Sequence, residues 1–240
     1  MLIKDIIEAR ERYRGVVEPG SRPNFGQTIV LQKPIRAYHA THEALGKVLT
    51  NREIKTYDSI GTYFTSDPEM GSTMYGPNVS AYMIPRGQYL IARRNQDFWE
   101  LVFNCLPLIK QHIGKEAADH LSKYPWSGAN LAWMKQVREE AKALMVQHGE
   151  PIGSNPSDAL IGQIFRYTDP QKAARYKALK KSNEYYRKIV TNPNYLKEYR
   201  ALLEGAGIHG IIWNNRHWDN SPRSASIFLI FHQEDLHPVR

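Results

Sequence analysis

Between Asp97 and Leu203 the chain reads almost entirely as helix, and on either side it reads mostly as strand. No other feature limits the fold as much. Strands before the block and strands after it either meet in one sheet across roughly a hundred residues or belong to separate bodies. Within the block, "DFWELVFNCLPLIKQHIG", "ANLAWMKQVREEAKALMVQHG", "PSDALIGQIFRYT", "DPQKAARYKALKKSNEYYRKIV" and "NPNYLKEYRALLEGAG" space their apolar residues three to four apart. Gly, Pro and Asn punctuate them. Ahead of the block, "TIVLQ" (28–32) and "IRAYHAT" (35–41) read as strands split by Lys33-Pro34. "SIGTYFT" (59–65) reads as a third, with "NVSAYMIP" and "QYLIA" following around Arg86-Gly87. After Gly207, strands return as "HGIIWNN" (209–215) and "SASIFLIF" (224–231). Helices are expected over 2–14 and 42–50, with a loop over 15–26. A helix is also expected from Pro68, capped by Asp67 or Ser66, because proline is tolerated in the first helical turn. The pattern is α+β, with the block either inserted in a split domain or standing beside it as a subdomain. No internal repeat stands out.

With 240 residues and 42% hydrophobic content, the chain can fill one large core or two small ones. No apolar run approaches the ~20 residues that span a bilayer. "MLIKDIIEARERYRG" reads as an amphipathic helix and not as a secretory signal. Cys105 is the only cysteine, so no internal disulfide forms and a cytoplasmic setting is expected. The 32 Lys and Arg against 24 Asp and Glu give +8. That balance suits a polyanionic partner, RNA, DNA or an acidic protein face, or else serves ordinary solubility.

Nine histidines raise the question of metal. His39 and His42 are three apart, but no carboxylate or cysteine completes a ligand pattern, and His209, His217, His232 and His237 are scattered. No metal site is expected. Cys105, in the apolar run "VFNCLPL", reads as a buried, inert thiol. Glycine-rich phosphate-binding fingerprints are absent. "AYHAT" is more informative: it puts His39 on a strand beside the small residues Ala40 and Thr41, where main-chain groups can pair with a planar carboxamide. Tyr63 closes the next strand, and Tyr75 closes the helix after it. Two phenols and an imidazole suit a flat cationic ring such as the nicotinamide of NAD, because aromatic faces attract cations and stack on planar rings. The plain alternative is that these are ordinary strand and core residues among fourteen tyrosines.

The combination "YHAT", "GTYFTSDPEMGSTMY", "GIHGIIWNN" and "SASIFLIFHQEDLHPV" resembles the ADP-ribosyltransferase superfamily, on its diphtheria-toxin and poly(ADP-ribose) polymerase side and its small phage and bacterial members. Ala40 stands where that family has glycine. The resemblance covers roughly 35–92 and 205–239 and omits the helical middle. It implies a split β-sandwich core with a large helical insertion, in one domain over 1–240 with the insertion at 97–203. It implies that NAD is the substrate and that ADP-ribose passes to a macromolecule with loss of nicotinamide. His39 would then bond the adenosine ribose, the Ala40 main chain the carboxamide, and Thr41 and Ser72 would lie beside that group. Tyr63 and Tyr75 would sandwich the ring. The family's glutamate, at the start of the last strand, is replaced by Ser226-Ile227. In the layout of the small members, counting on from Asn215 gives Trp218, and the adjacent Asp219 is the candidate carboxylate. Glu234 and Asp235 follow the last strand and come too late.

An ADP-ribosyltransferase acting on RNA, DNA or protein, as a toxin or phage effector with room for an inhibitor or antitoxin partner, is therefore the leading expectation. Its basic helical stretch "RYKALKKSNEYYRK" would hold the acceptor, or else is a solvated face over a buried tyrosine stripe. A degenerate transferase fold working as a nucleic-acid-binding module is the second expectation. An unrelated α+β hydrolase is the third, with no nucleophile motif to support it. No membrane partner is expected.

Overall fold

A computed structural model describes residues 27–42, 60–92, 100, 102–149, 155–214, 225–232 and 236–239. The helix expected over 2–14, all but the first residue of that expected over 42–50, the loop over 15–26, and Asn215, His217, Trp218, Asp219, Glu234 and Asp235 lie outside the described residues. The chain is α+β and divides into two units. One joins Met1–Leu101 to Lys197–Arg240, and the other is Val102–Leu196.

The first unit holds an eight-stranded sheet. Its strands are β1 (Gln27–Leu31), β2 (Ile35–Thr41), β3 (Thr62–Thr65), β4 (Asn78–Ile84), β5 (Gly87–Ala92), β6 (Ile208–Asn214), β7 (Ser226–Ile230) and β8 (His237–Pro238). Helix α1 (Pro68–Tyr75) lies between β3 and β4. The order across the sheet is β1-β5-β6-β7-β3-β2-β4-β8. Every recorded pairing is antiparallel except β5 with β6. A parallel pair needs a long crossover connection, and here that crossover carries the whole helical unit. The strands before and after the block therefore do share one sheet. β7, "SIFLI", is buried at all five positions because it runs through the middle of the sheet, with both faces covered. Leu31, Ala37, Phe64, Ile84, Tyr89, Ile212, Phe228, Ile230 and Leu236 form one core cluster. β3 starts at Thr62, later than the apolar pattern suggests. Ile60 is buried, and a Cβ at Gly61 would lie 2.7 Å from the Ile230 carbonyl oxygen.

The second unit contains α2 (Leu106–His112), α3 (Lys115–Lys123), α4 (Gly128–Gln147), α5 (Asp158–Thr168) and α6 (Pro170–Val190). α7 (Pro193–Gly205) spans the boundary between the units. The continuous helix expected through "FNCLPL" is interrupted. Pro107 lies in the first turn of α2, where its missing N–H costs nothing, and Cys105 is the half-buried residue before it, not a core thiol. Asn104 fills the break by donating from Nδ2 to the Trp126 carbonyl (2.9 Å) and accepting from the Trp126 N–H (3.2 Å). Ser127, Ser157 and Asp169 cap α4, α5 and α6 by accepting main-chain N–H bonds from Asn130, Leu160 and Lys172. Each such cap contributes about 1 kcal/mol.

Met134, Val137, Ala141, Ile161, Phe165, Tyr176 and Leu179 pack together between α4, α5 and α6. At its edge the buried Tyr176 donates to Asp158 (2.7 Å) and accepts from Arg138 Nε (2.8 Å). Arg138 and Lys180 both pair with Asp158. The Lys180 ammonium, with the Tyr176 and Arg138 bonds behind it, pulls the Asp158 carboxyl down to about 2. A carboxylate with a depressed pKa contributes stability above its ordinary value and loses it as pH falls toward the folded one. The Asp158 side chain is 28% exposed, so solvent screening trims the contribution to about 1 kcal/mol. The urea midpoint of the native chain should fall between pH 5 and pH 2. Asp158→Asn should lower it at pH 7, flatten that fall and meet the native curve near pH 2. Parallel curves would show that Asp158 is not the titrating support.

Candidate functional site

Three strands that are neighbours in the sheet, β2, β3 and β7, carry segments distant in sequence: His39-Ala40-Thr41, Tyr63 and Ser226. β2 pairs with β4 over seven positions, from Ile35↔Ile84 to Thr41↔Asn78. With β3 its recorded register is the single pair Tyr38↔Thr65. Past that pair the His39 imidazole bridges the strands, with Nδ1 2.9 Å from the Tyr63 carbonyl oxygen. A carbonyl only accepts, so Nδ1 carries a hydrogen and donates this bond. The imidazole also lies 5.4 Å from the Phe64 ring.

Strand alternation sorts the side chains. Thr65 and Ala40 share the face that α1 covers, where a Cβ on Gly71 would lie 3.0 Å from Thr65 Cγ2 and 3.5 Å from Ala40 Cβ. Tyr63, two residues from Thr65, belongs to that face and meets the edge of Trp213 at 6.0 Å. His39 follows Phe64 on the other face. It therefore reaches Tyr63 through the main chain and not through the phenol.

Helix α1 is built locally. Asp67, not Ser66, is its cap, accepting from Glu69 N (2.9 Å) and Met70 N (3.4 Å), with Pro68 in the first turn. Ser66 instead ties β3 to β7: its N–H donates to the Ser226 carbonyl, and its Oγ accepts from the Ser226 N–H, both at 2.9 Å. From there α1 runs back across the face to Gly76, which has φ of +126°. A Cβ at Gly76 would lie 2.5 Å from the His42 nitrogen and 2.6 Å from the Thr41 oxygen. The end of α1 is thus held against the end of β2 by a backbone contact that only glycine permits. This brings the main chain of Tyr75 beside the His39-Ala40-Thr41 segment. The Tyr75 side chain lies outside the described residues.

Of the other expected site residues, Ala40 is buried and Thr41 half-buried. Ser72 is half-buried, and its hydroxyl donates to the Glu69 carbonyl one turn back (2.8 Å). Ser226 is buried at the start of β7, where the family resemblance places a glutamate. Asp219 is not described, but the residues flanking its segment are. Asn214 pairs with Ser226, and Ser226 bonds Ser66, where β3 ends and α1 begins. Sequence reading missed Thr65, Trp213 and the glycines 71 and 76. Trp213 sits inside the quoted strand "GIIWNN", but its approach to Tyr63 depends on β7 lying between β6 and β3. Among the described residues, no three His, Cys, Asp or Glu side chains gather as a metal site. Among them, no helix is long and apolar enough to cross a membrane.

Set against protein-family models, curated proteins and solved structures, the chain matches none.

Gly76→Ala should cost about 2 kcal/mol or more in urea unfolding, through its backbone angle and its crowding of Thr41. Gly162→Ala, inside α5 with nothing within 4 Å of the new methyl, should be neutral or slightly stabilising. Equal effects at the two positions would rule out the backbone contact as a constraint.

Proposed function

We propose that this chain is a NAD-dependent ADP-ribosyltransferase built on a split-sheet core, which moves ADP-ribose from NAD to a macromolecular acceptor, nucleic acid or protein, and releases nicotinamide. The observation that carries the reading is the junction of β2, β3 and α1. There the His39 ring holds the Tyr63 main chain, and Gly76 brings the end of α1 onto Thr41. Residues 39–41, 63 and 72–75 are the segments the family resemblance marks for NAD.

In this reading the nicotinamide ring lies on the α1 face between Tyr63 and Tyr75, with its carboxamide on the Ala40 main chain near Thr41 and Ser72. The His39 ring is on the other face, so it would bond the adenosine ribose only through the gap past Tyr38↔Thr65, where β2 and β3 part. The bond from ribose C1′ to the pyridinium nitrogen breaks, its electron pair neutralises the ring, and nicotinamide departs. The acceptor forms the new bond to C1′ and gives its proton to a base. Positive charge develops on the ribose, so an anion held beside it lowers the barrier. Asp219 fills that role here. It is five residues from Asn214 and seven from Ser226, two residues that pair with each other in the sheet.

Ser226 in the place of a glutamate favours a second reading, a fold of this type that binds without transferring. The two separate on nicotinamide release. Incubated with labelled NAD and cell extract, the native chain should label a macromolecule and release nicotinamide, and His39→Ala and Tyr75→Ala should each abolish both. Labelling that persists in both variants rules out this pocket. NAD binding without nicotinamide release would establish the second reading. Asp219→Asn should retain NAD binding and slow transfer on the order of 10²–10³-fold. An unchanged rate would assign the anion elsewhere.

A further inference from the structure

The chain's charge is unevenly distributed. Val102–Leu196 holds fourteen Lys and Arg against eight Asp and Glu, a formal +6 of the total +8. Helix α6 alone holds seven of these cations and one acid, Glu184. Its buried residues Tyr176, Leu179, Ser182, Tyr185, Tyr186 and Ile189 occupy one side. At 100° per residue, Lys177, Lys180, Lys181, Arg187 and Lys188 fall on the opposite side with Glu184. Lys177, Lys181, Arg187 and Lys188 are exposed. Asp158 holds Lys180 and Glu116 holds Lys181, whereas Lys177, Arg187 and Lys188 form no ion pair among the described residues. Along the helix, Lys177 to Lys188 span about 16 Å. Concentrating this much like charge on one helix face does not help the helix, because like charges three or four apart repel.

We infer that this face of α6 docks on the sugar-phosphate backbone of a nucleic-acid duplex. Charge complementarity selects a polyanion. A duplex presents one negative charge per ~1.7 Å of its axis, so several phosphates fall within the span of the five cations. A duplex is favoured over a single strand because the face offers no ring for an unpaired base to stack on. Tyr176, Tyr185 and Tyr186 are 2%, 8% and 6% exposed and belong to the core. Trp133 is covered by the Arg175 guanidinium, 4.2 Å from its ring. Tyr167, an exposed ring, lies ten residues before Lys177, beyond the start of α6. Recognition is through phosphates and independent of sequence. The inference stands apart from the NAD reading and needs no transfer activity. If both hold, it names the acceptor class.

The test is fluorescence anisotropy of a labelled 20-base-pair DNA duplex, without NAD, between 50 and 200 mM salt. The full chain should bind, with log K falling against log salt by about 0.9 for each phosphate contact. K177E/R187E/K188E should weaken binding at least tenfold and reduce the slope by about 3. K33E/R36E/R86E makes the same change in net charge at exposed positions of the sheet unit and should stay within threefold of the native chain. Circular dichroism checks folding, and K177Q/R187Q/K188Q, with a smaller loss in the same direction, replaces the reversal variant should that one misfold. Equal losses in the α6 and sheet-unit triples would overturn the proposal. So would a single strand that binds as tightly as the duplex, or no binding at 50 mM salt.

Discussion

The parallel ladder between β5 and β6 is the contact on which the rest depends. Gln88↔Ile208 and Ala92↔Trp213 join two pieces of chain separated by more than a hundred residues, and all other recorded strand pairs are antiparallel. Parallel neighbours cannot be linked by a tight turn. Inserting a helical unit there costs little extra, since loop-closure entropy grows only slowly with length. Without that ladder, β1 and β5 would be cut off from the other six strands of the sheet.

The candidate site draws on the same sheet. β7 separates β6 from β3, so it sets how Trp213 meets Tyr63. The recorded ladder between β2 and β3 is a single pair, with the His39 imidazole serving as a link between them. Helix α1 closes over this junction with glycine at both of its points of close approach, Gly71 against Thr65 and Gly76 against Thr41. Small residues there let the helix backbone come within contact distance of the strands.

The helical unit follows a different rule. Tyr176, Tyr185, Tyr186 and Tyr195 are inside and most of the α6 cations outside, and hydrogen bonds anchor the phenols. Tyr176 is held by Asp158 and Arg138, and Tyr195 by the Val102 carbonyl. Burial raises the Tyr186 hydroxyl well above the ordinary phenol range, so it stays protonated at any physiological pH. The stretch "RYKALKKSNEYYRK" thus separates cleanly, with rings to the core and basic groups to solvent.

Much of this was legible in local patterns. Strand β2 is found at the residues "IRAYHAT", and α4, α5 and α6 fall on the stretches whose apolar residues recur three to four apart, because alternation and helical spacing act over a few residues. Helix α3 leaves little trace in the sequence: "KEAADHLSK" buries two small residues, Ala117 and Ala118, and one large one, Leu121. The break at Cys105 turned on a proline inside an apolar run. The motif residues His39, Tyr63 and Tyr75 could be marked from the sequence as a candidate set, but not their mutual geometry. Tertiary structure decided that the imidazole meets the Tyr63 carbonyl and that Ser66 bonds Ser226 while Asp67 caps the helix. It also decided that the strands on either side of the helical block form one sheet. The physical reason is that a residue's pattern reports which side of its own element is apolar, whereas the neighbour across a sheet depends on which strands pair and in what register, and partners such as Thr62 and Ile230 lie far apart in the chain.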